Sequence, residues 1–315
     1  MAHIIFSLII PHHNIPQLLK RCLCSIPKRD DLQVIVIDDK SDEIFIDDVK
    51  QLNTTFPFVE FCYLEENKGG GHARNIGLQK AKGKYVFFAD ADDFFTYCLN
   101  DILEEYRGCD ADIVYFDAIS QNTDTYKIAY RARHLNRMMH RYSLHEKKSE
   151  MELRYLFGEP WCKLVKRDII EKHLISFDET IIHNDTKFSY LVGHYCKKIV
   201  IDQRAIYCVT VRSCSVSKII SLDRLLIRTK VFGEANVFYK THNLHYFEEK
   251  ALRPMMFFLL YGKNKEYLRC KKILMACGMS SAELFWRQVF YPYMLLEKMW
   301  RNLSEILVRF QDKSK

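Results

Sequence analysis

Three carboxylates stand together in Asp90-Ala91-Asp92-Asp93, directly after the apolar run from Tyr85 to Ala89. Such groups offer hard oxygen ligands to a metal. The apolar run fits a fully buried strand. A buried strand cannot continue through three charges, because an unpaired buried carboxylate is costly. The cluster therefore belongs at the strand's end, facing water, a cation, or both. In extended chain Asp90 and Asp92 share a face. Two oxygen ligands on one face suit a hard divalent ion such as Mg²⁺ or Mn²⁺. A polar turn after a strand has the same composition, and this stretch alone does not separate the two readings.

The elements that must position these residues alternate. Ile4 to Ile10 reads as a first strand, stopped by Pro11. Leu18, Leu19, Cys22, Leu23 and Ile26 form a helical stripe over Gln17 to Ile26. Val34 to Ile37 is a second buried strand, ended by Asp38-Asp39, and Ile46 to Leu52 a short helix. Val59 to Leu64 gives a third strand, Asn67 to Gly71 a loop, and His72 to Ala81 a helix closed by Gly83. Tyr85 to Ala89 and Ile113 to Phe116 are further strands. Nearly all-apolar strands between helices predict a parallel α/β sheet. Both acidic clusters then lie at the strand ends, where open α/β sheets bind ligands.

Gln121 to Lys148 is polar and basic with poor periodicity, which predicts loop and irregular structure. Order resumes from Glu159 to His173, with a helix from Asp185 to Tyr195 and two short strands, Ile199–Ile201 and Ala205–Val211. Beyond Leu222 the chain reads as mostly helix. After Pro292, Leu296, Met299, Trp300, Leu303, Ile306, Leu307 and Phe310 form a stripe, with Lys298, Arg301 and Arg309 elsewhere on the wheel.

Composition narrows the function classes. The 315 residues are 48% hydrophobic and 28% charged, ordinary for a globular chain with a sizeable core. No apolar run reaches a membrane span, and no secretory leader is expected at the start. The eleven cysteines show no metal-type spacing, so free thiols in a reducing cytoplasm are expected. The net charge of +7 conceals an asymmetry. Residues 1–118 hold 12 basic and 20 acidic residues, and the remainder 35 and 20. A basic second half suits an anionic partner or a solvated surface. Gly69-Gly70-Gly71 is not a dinucleotide fingerprint, because the pattern needs glycine at the position of Arg74. No motif supports nucleic-acid binding, which would rest on charge alone.

With these stretches assembled, the chain resembles a family 2 glycosyltransferase of the GT-A fold, bacterial glycan-synthesis type. The resemblance rests on an ordered set at the family's spacing. Its first members are Ser7 to Asn14, Val34 to Asp42, Asn67 to Gly77 and Gly83 to Asp93. Then come Trp161-Cys162-Lys163, Phe177-Asp178-Glu179, Asn184 to Phe188, and Tyr207 through Arg212 to Ser215. It covers roughly residues 4–217.

The resemblance implies an inverting, metal-dependent transferase of hexosyl type. It uses a nucleotide-diphosphate sugar, with a UDP-sugar expected. Asp90-Ala91-Asp92 resembles the family's DXD element, with Asp92 as ligand to Mn²⁺ or Mg²⁺ and Asp90 on the donor ribose or metal. Pro11, His13, Asn14, Asp38, Asp39 and Arg74 then line the donor. Asp38 also reads as a turn residue, and Arg74 as a surface ion-pair partner. Asp185 resembles the family's catalytic base, although Asn184-Asp185 also reads as a helix cap. Trp161 and Asn184 fall on the acceptor side, and Trp161 reads equally as core. His12 and His13 replace the family's aliphatic or Thr and aromatic residues, and His183-Asn184 its Gly-Glu.

The expected fold is therefore a GT-A-like, mostly parallel sheet flanked by helices, with a helical C-terminal extension. Residues 1–117 would form the nucleotide-sugar half, 118–222 the acceptor half, and 223–315 the helical region. The acceptor would be a glycan or lipid-linked glycan. The location would be cytoplasmic, peripheral on the membrane's inner face through the C-terminal helices. The alternative is an inactive glycosyltransferase-like module that binds a sugar nucleotide or a protein.

Overall fold

The computed structural model describes residues 3–146, 148–212, 221–247 and 251–292. Its apolar runs become eight strands. These are β1 (Phe6–His12), β2 (Leu32–Asp38), β3 (Val59–Tyr63), β4 (Tyr85–Phe88), β5 (Phe94–Phe95), β6 (Ile113–Asn122), β7 (Lys163–Lys166) and β8 (Ile199–Val211). They form one sheet in the order β3-β2-β1-β4-β7-β6-β8-β5. The pairs β1–β2, β1–β4 and β2–β3 are parallel, as all-apolar strands joined by helices require. On the other side β7 runs antiparallel to both β4 and β6, while β6 and β8 are parallel. The sheet is thus mixed.

The helices beside the sheet are α1 (Pro16–Cys24), α2 (Glu43–Thr55), α3 (Gly70–Lys80), α4 (Leu99–Glu105), α5 (Arg133–Ser143), α6 (Ser149–Leu156), α7 (Arg167–Lys172) and α8 (Thr186–Tyr195). Leu19, Cys22 and Leu23 of α1 and Ala73 of α3 are buried against strands that expose almost nothing. By backbone contact the chain divides between residues 219 and 220 into two compact units. The second unit holds α9 (Leu222–Thr241), α10 (Leu252–Leu260), α11 (Asn264–Ala276) and α12 (Ser281–Val289), around a core of Met255, Cys270, Leu274 and Leu284. No helix among the described residues is long and apolar enough to cross a membrane. The stripe after Pro292 lies outside the described residues.

Four local expectations are corrected. The 121–148 segment is not all irregular. Leu135, Met138 and Met139 give α5 a buried apolar side within an otherwise charged helix. The two short strands after Ile199 are one, β8. Asp202 and Arg204 interrupt its apolar pattern but pair with each other at 2.5 Å, and the register against β6 shifts at Phe116/Asp117. Helix α3 starts at Gly70, inside the expected glycine loop, with Gly69 (φ +89°) as the turn residue. Finally β4 ends at Phe88, and Asp90 to Asp93 form a turn closed by the Asp93 N–H on the Asp90 carbonyl at 3.0 Å.

Candidate active site

The ends of β1, β2 and β4 deliver the candidate donor residues to one edge. Pro11 lies on β1 opposite Ile37. Asn14 (φ +57°) bonds the Asp42 carboxylate at 2.7 Å and accepts the Asp42 N–H at 2.8 Å, tying the loops after β1 and β2 together. Asp38 is buried, and its oxygens accept from His12 Nδ1 (2.7 Å), Ser41 Oγ (2.6 Å) and Ser41 N–H (2.9 Å). Burial alone would raise its carboxyl, but the His12 and Ser41 bonds outweigh that and hold it below the usual carboxylate range. His12 Nε2 accepts from the Ile15 N–H at 3.2 Å, so the Nδ1 proton faces Asp38. The unusual His12 therefore fixes Asp38, and Asp38 in turn shapes the 38–41 turn.

Asp39 is also buried, and its carboxylate accepts the N–H groups of Lys68 (3.0 Å) and Gly69 (2.7 Å). It thereby sets the loop that carries Asn67. His13 donates from Nδ1 to the Asp39 carbonyl at 3.1 Å, while Asn67 Nδ2 lies 3.2 Å from its Nε2. His13 stays half-buried at the edge of the site.

Asp90, Asp92 and Asp93 each place a carboxylate oxygen within 4.8 Å of the others. Their turn is anchored from β8. The Asp90 N–H donates to Tyr207 Oη (2.8 Å), the Thr210 N–H to Asp93 (2.7 Å), and Thr210 Oγ1 to the Asp92 carbonyl (2.7 Å). Arg21 Nη2 reaches that carbonyl as well, at 2.5 Å. Arg212 pairs with Asp92 at 2.7 Å and Arg74 with Asp90 at 2.5 Å. Burial, then the neighbouring Asp90 charge, pushes the Asp92 carboxyl up against the pull of Arg212. Asp93 is raised further by burial and by both neighbours.

Oxygen-only donors in this crowding fit a hard divalent cation, whose charge would offset the repulsion. Asp90 and Asp92 are half-buried and can hold it. Asp93 is 2% exposed and already binds the Thr210 N–H, so it supports the turn.

Arg74 connects this cluster to the other half of the site. Its side chain is buried, pairs with Asp90, donates to Asn184 Oδ1 at 3.2 Å, and lies over the Phe177 ring at 5.5 Å. Helix α3 can come this close because Gly71 has no side chain. A Cβ there would stand 2.0 Å from the Asp178 carbonyl oxygen. Asn75 closes the contact by exchanging hydrogen bonds with the Phe177 backbone, at 2.8 and 3.0 Å. Gly71→Ala is therefore expected to destabilise the chain and to lower its melting temperature, with donor affinity falling as Arg74 moves. A melting curve unchanged from the wild type would show that the 177–184 loop yields freely.

Asp185 precedes α8, yet its side chain makes no capping bond. It is half-buried, and burial pushes its carboxyl up to about 6, with Arg74 opposing and Glu159 and Asp90 adding to the rise. A group poised near neutrality in this way suits proton transfer better than helix capping. Trp161, expected on the acceptor side, lies in the core at 2% exposure, stacked on Tyr207 with ring centroids 5.6 Å apart. It reaches the site through the tyrosine that holds the Asp90 N–H.

Sequence reading gave no role to Arg21, Tyr207, Thr210 and Arg212, which the fold brings to the acidic turn. Three of them stood in the matched run from Tyr207 to Arg212. The signal there was a polar, basic end to an apolar strand.

This mixed sheet, with an acidic turn after β4 linked through Arg74 to the residue before Asp185, has the GT-A fold. The model of the family described as glycosyl transferase family 2 matches residues 7–174, just over half of the sequence. The chain belongs to that family. Among relatives, the uncharacterized glycosyltransferase EpsJ of Bacillus subtilis is 26% identical over 183 residues, covering 56% of this chain and 52% of the relative. The cholesterol galactosyltransferase of Borreliella burgdorferi is 24% identical, over 69% of this chain and 65% of its own. The chain spans about half the length or less of the first curated relatives it matches. Among solved structures, S. aureus TarS in complex with UDP-GlcNAc aligns with a TM-score of 0.65 at 17% identity, over 87% of this chain and 81% of that one. The Pyrobaculum calidifontis mannosyltransferase PcManGT, with GDP-Man and Mn²⁺, gives 0.54 at 16%, over 92% and 80%. These likenesses show the fold.

Proposed function

We propose that the chain transfers a sugar with inversion from a UDP-sugar to a glycan or lipid-linked glycan, with Asp185 as base. The observation that carries this reading is the link Asp90–Arg74–Asn184, which sets the acidic turn and the residue before Asp185 on two sides of one buried guanidinium. In this reading His13 and Asn67 border the nucleotide base, and Arg74 holds diphosphate oxygens. Asp90 and Asp92 would hold Mn²⁺ or Mg²⁺, which when bound neutralises the leaving diphosphate. Asp185 takes the proton of the acceptor hydroxyl as that oxygen bonds to the anomeric carbon. The bond to the nucleoside diphosphate breaks on the opposite face.

The Mn²⁺ in the PcManGT complex supports the metal, and the UDP-GlcNAc in the TarS complex supports the donor class. A cytoplasmic site of action beside the membrane belongs to the same reading. Calorimetry across a panel of UDP-sugars, with and without Mn²⁺, tests it. At least one sugar should bind with an affinity that falls when the metal is removed by EDTA. Binding of none of them, with or without metal, would exclude the donor assignment.

A further inference from the structure

The acceptor side contains a feature that sequence reading passed over. A cavity of about 510 Å³ opens between the C-terminal half of β6 and the start of α5, lined by Ser120, Gln121, Tyr126, Tyr130 and Arg133 among others. Tyr126 and Tyr130 are 67% and 69% exposed, so two aromatic rings reach solvent at the cavity. The Arg133 guanidinium lies over the Tyr130 ring at 4.5 Å. Ser120 is 8% exposed, and its hydroxyl has no hydrogen-bond partner in the fold. A buried hydroxyl left unpaired is costly unless a ligand or water meets it. Tyr126 is held in the left-handed region (φ +55°) by a turn in which the Asn122 side chain accepts the N–H groups of Asp124 and Thr125.

The elements that line the cavity lead toward both halves of the site. On one side, Gln121 pairs in register with Thr210, which binds the Asp92 carbonyl and the Asp93 carboxylate. On the other, His134 follows Arg133 on α5 and reaches Glu159 at 3.3 Å. Glu159 belongs to the segment fixed to α8 by Ser189 Oγ on the Gly158 carbonyl at 2.5 Å. An acceptor must meet both the anomeric carbon and the base, and the strand and helix that line this cavity are each one contact from a segment that carries part of the site.

The charge along this segment is mostly positive. Residues 121–148 hold seven Lys and Arg against one Asp and one Glu, and Lys127, Arg131 and Arg133 are exposed. We propose that this cavity is the acceptor subsite and that it selects a glycan carrying negative charge, with Tyr126 and Tyr130 against the sugar or polyol units and Arg133 on the anion. The proposal rests on the glycosyltransferase reading above and narrows its acceptor class. Arginine suits either a phosphate or a carboxylate, since its planar fork can donate to two oxygens of each.

The test uses the full chain and three probes of equal length: a phosphodiester-linked polyol oligomer, a uronate-containing oligosaccharide and a neutral oligosaccharide. Binding is measured by calorimetry at low and high salt, with UDP-sugar binding as a separate readout. At least one charged probe should bind more tightly than the neutral one, and the difference should shrink as salt rises. Arg133→Gln should weaken that binding about fivefold, the upper range for one exposed charge, and Arg133→Lys should restore part of it. Tyr130→Ala should weaken it as well, with donor affinity held in all three variants. Which charged probe wins distinguishes a phosphodiester from a uronate acceptor. Equal binding of charged and neutral probes, or no loss in Arg133→Gln, would overturn the proposal while intact donor binding left the enzyme reading standing. Charged-probe binding by a chain that binds no UDP-sugar would overturn both.

Discussion

Asp185→Asn is expected to lower turnover by roughly 10²–10⁴, the usual worth of a positioned base, while donor and metal bind as before. Asn keeps the shape of the side chain but cannot accept a proton. If Asp185 only capped α8, Asn would serve almost equally well, and the carboxylate makes no such bond. The substitution also carries a pH signature. Burial holds the Asp185 carboxyl at about 6, so the wild-type rate should fall as pH drops through that value and level off above it. The variant's residual rate should lack that step.

Stability should move the other way. A carboxyl whose folded pKa is raised contributes stability while protonated and loses it as pH rises through about 6. Asp185→Asn should therefore melt higher than the wild type at pH 8 and show little difference near pH 4. A variant with near-normal turnover on the true acceptor would move the base elsewhere, to Asp178 or Glu179 in the adjoining loop.

Asp92→Ala should abolish the metal-dependent part of donor binding. Loss of a direct ligand should exceed the 10–100-fold that loss of an outer partner typically costs, so a fall of more than about 100-fold in donor affinity with Mn²⁺ is expected. The fold should survive, because the turn is held by bonds to the Asp92 carbonyl from Thr210 and Arg21 and by Asp93 on the Thr210 N–H, not by the Asp92 carboxylate. Removing one of three crowded carboxylates also relieves repulsion. A thermal melt at or above the wild-type temperature, together with calorimetry that no longer responds to Mn²⁺, is the expected pair of results. Undiminished Mn²⁺-dependent affinity would take the metal away from this turn.

Strands β1, β2 and β4 were legible because they are buried on both faces. Val34 to Ile37 and Tyr85 to Phe88 leave no room for a charge, so Asp38-Asp39 and Asp90 to Asp93 had to mark strand ends. What a short window does not contain is the partner. Arg21 and Arg212 reach Asp92 from positions far away in the chain, and only Arg212 gave a local hint, as the basic end of an apolar strand. Helix α5 was hidden for a different reason. Its three buried residues, Leu135, Met138 and Met139, sit among five basic or histidine positions, and the apolar side is too narrow to outweigh them. Gly70 and Gly71 looked like a loop because glycine usually serves the backbone. At Gly71 it serves the neighbour instead, since the Asp178 carbonyl occupies the space of a side chain. His12 was visible as a departure from the family pattern, but its reason, the bond to buried Asp38, exists only in the folded pair of strands.

The most direct test of the central claim is the configuration of the sugar released when the chain hydrolyses its α-linked UDP-sugar in the absence of acceptor. Proton NMR followed from the first minutes, before mutarotation, reports it. Water attacking from the face opposite the diphosphate, with Asp185 as base, gives the β-anomer first, at a rate that falls in Asp185→Asn. First appearance of the α-anomer would show that the configuration is retained and would contradict a single displacement assisted by one base.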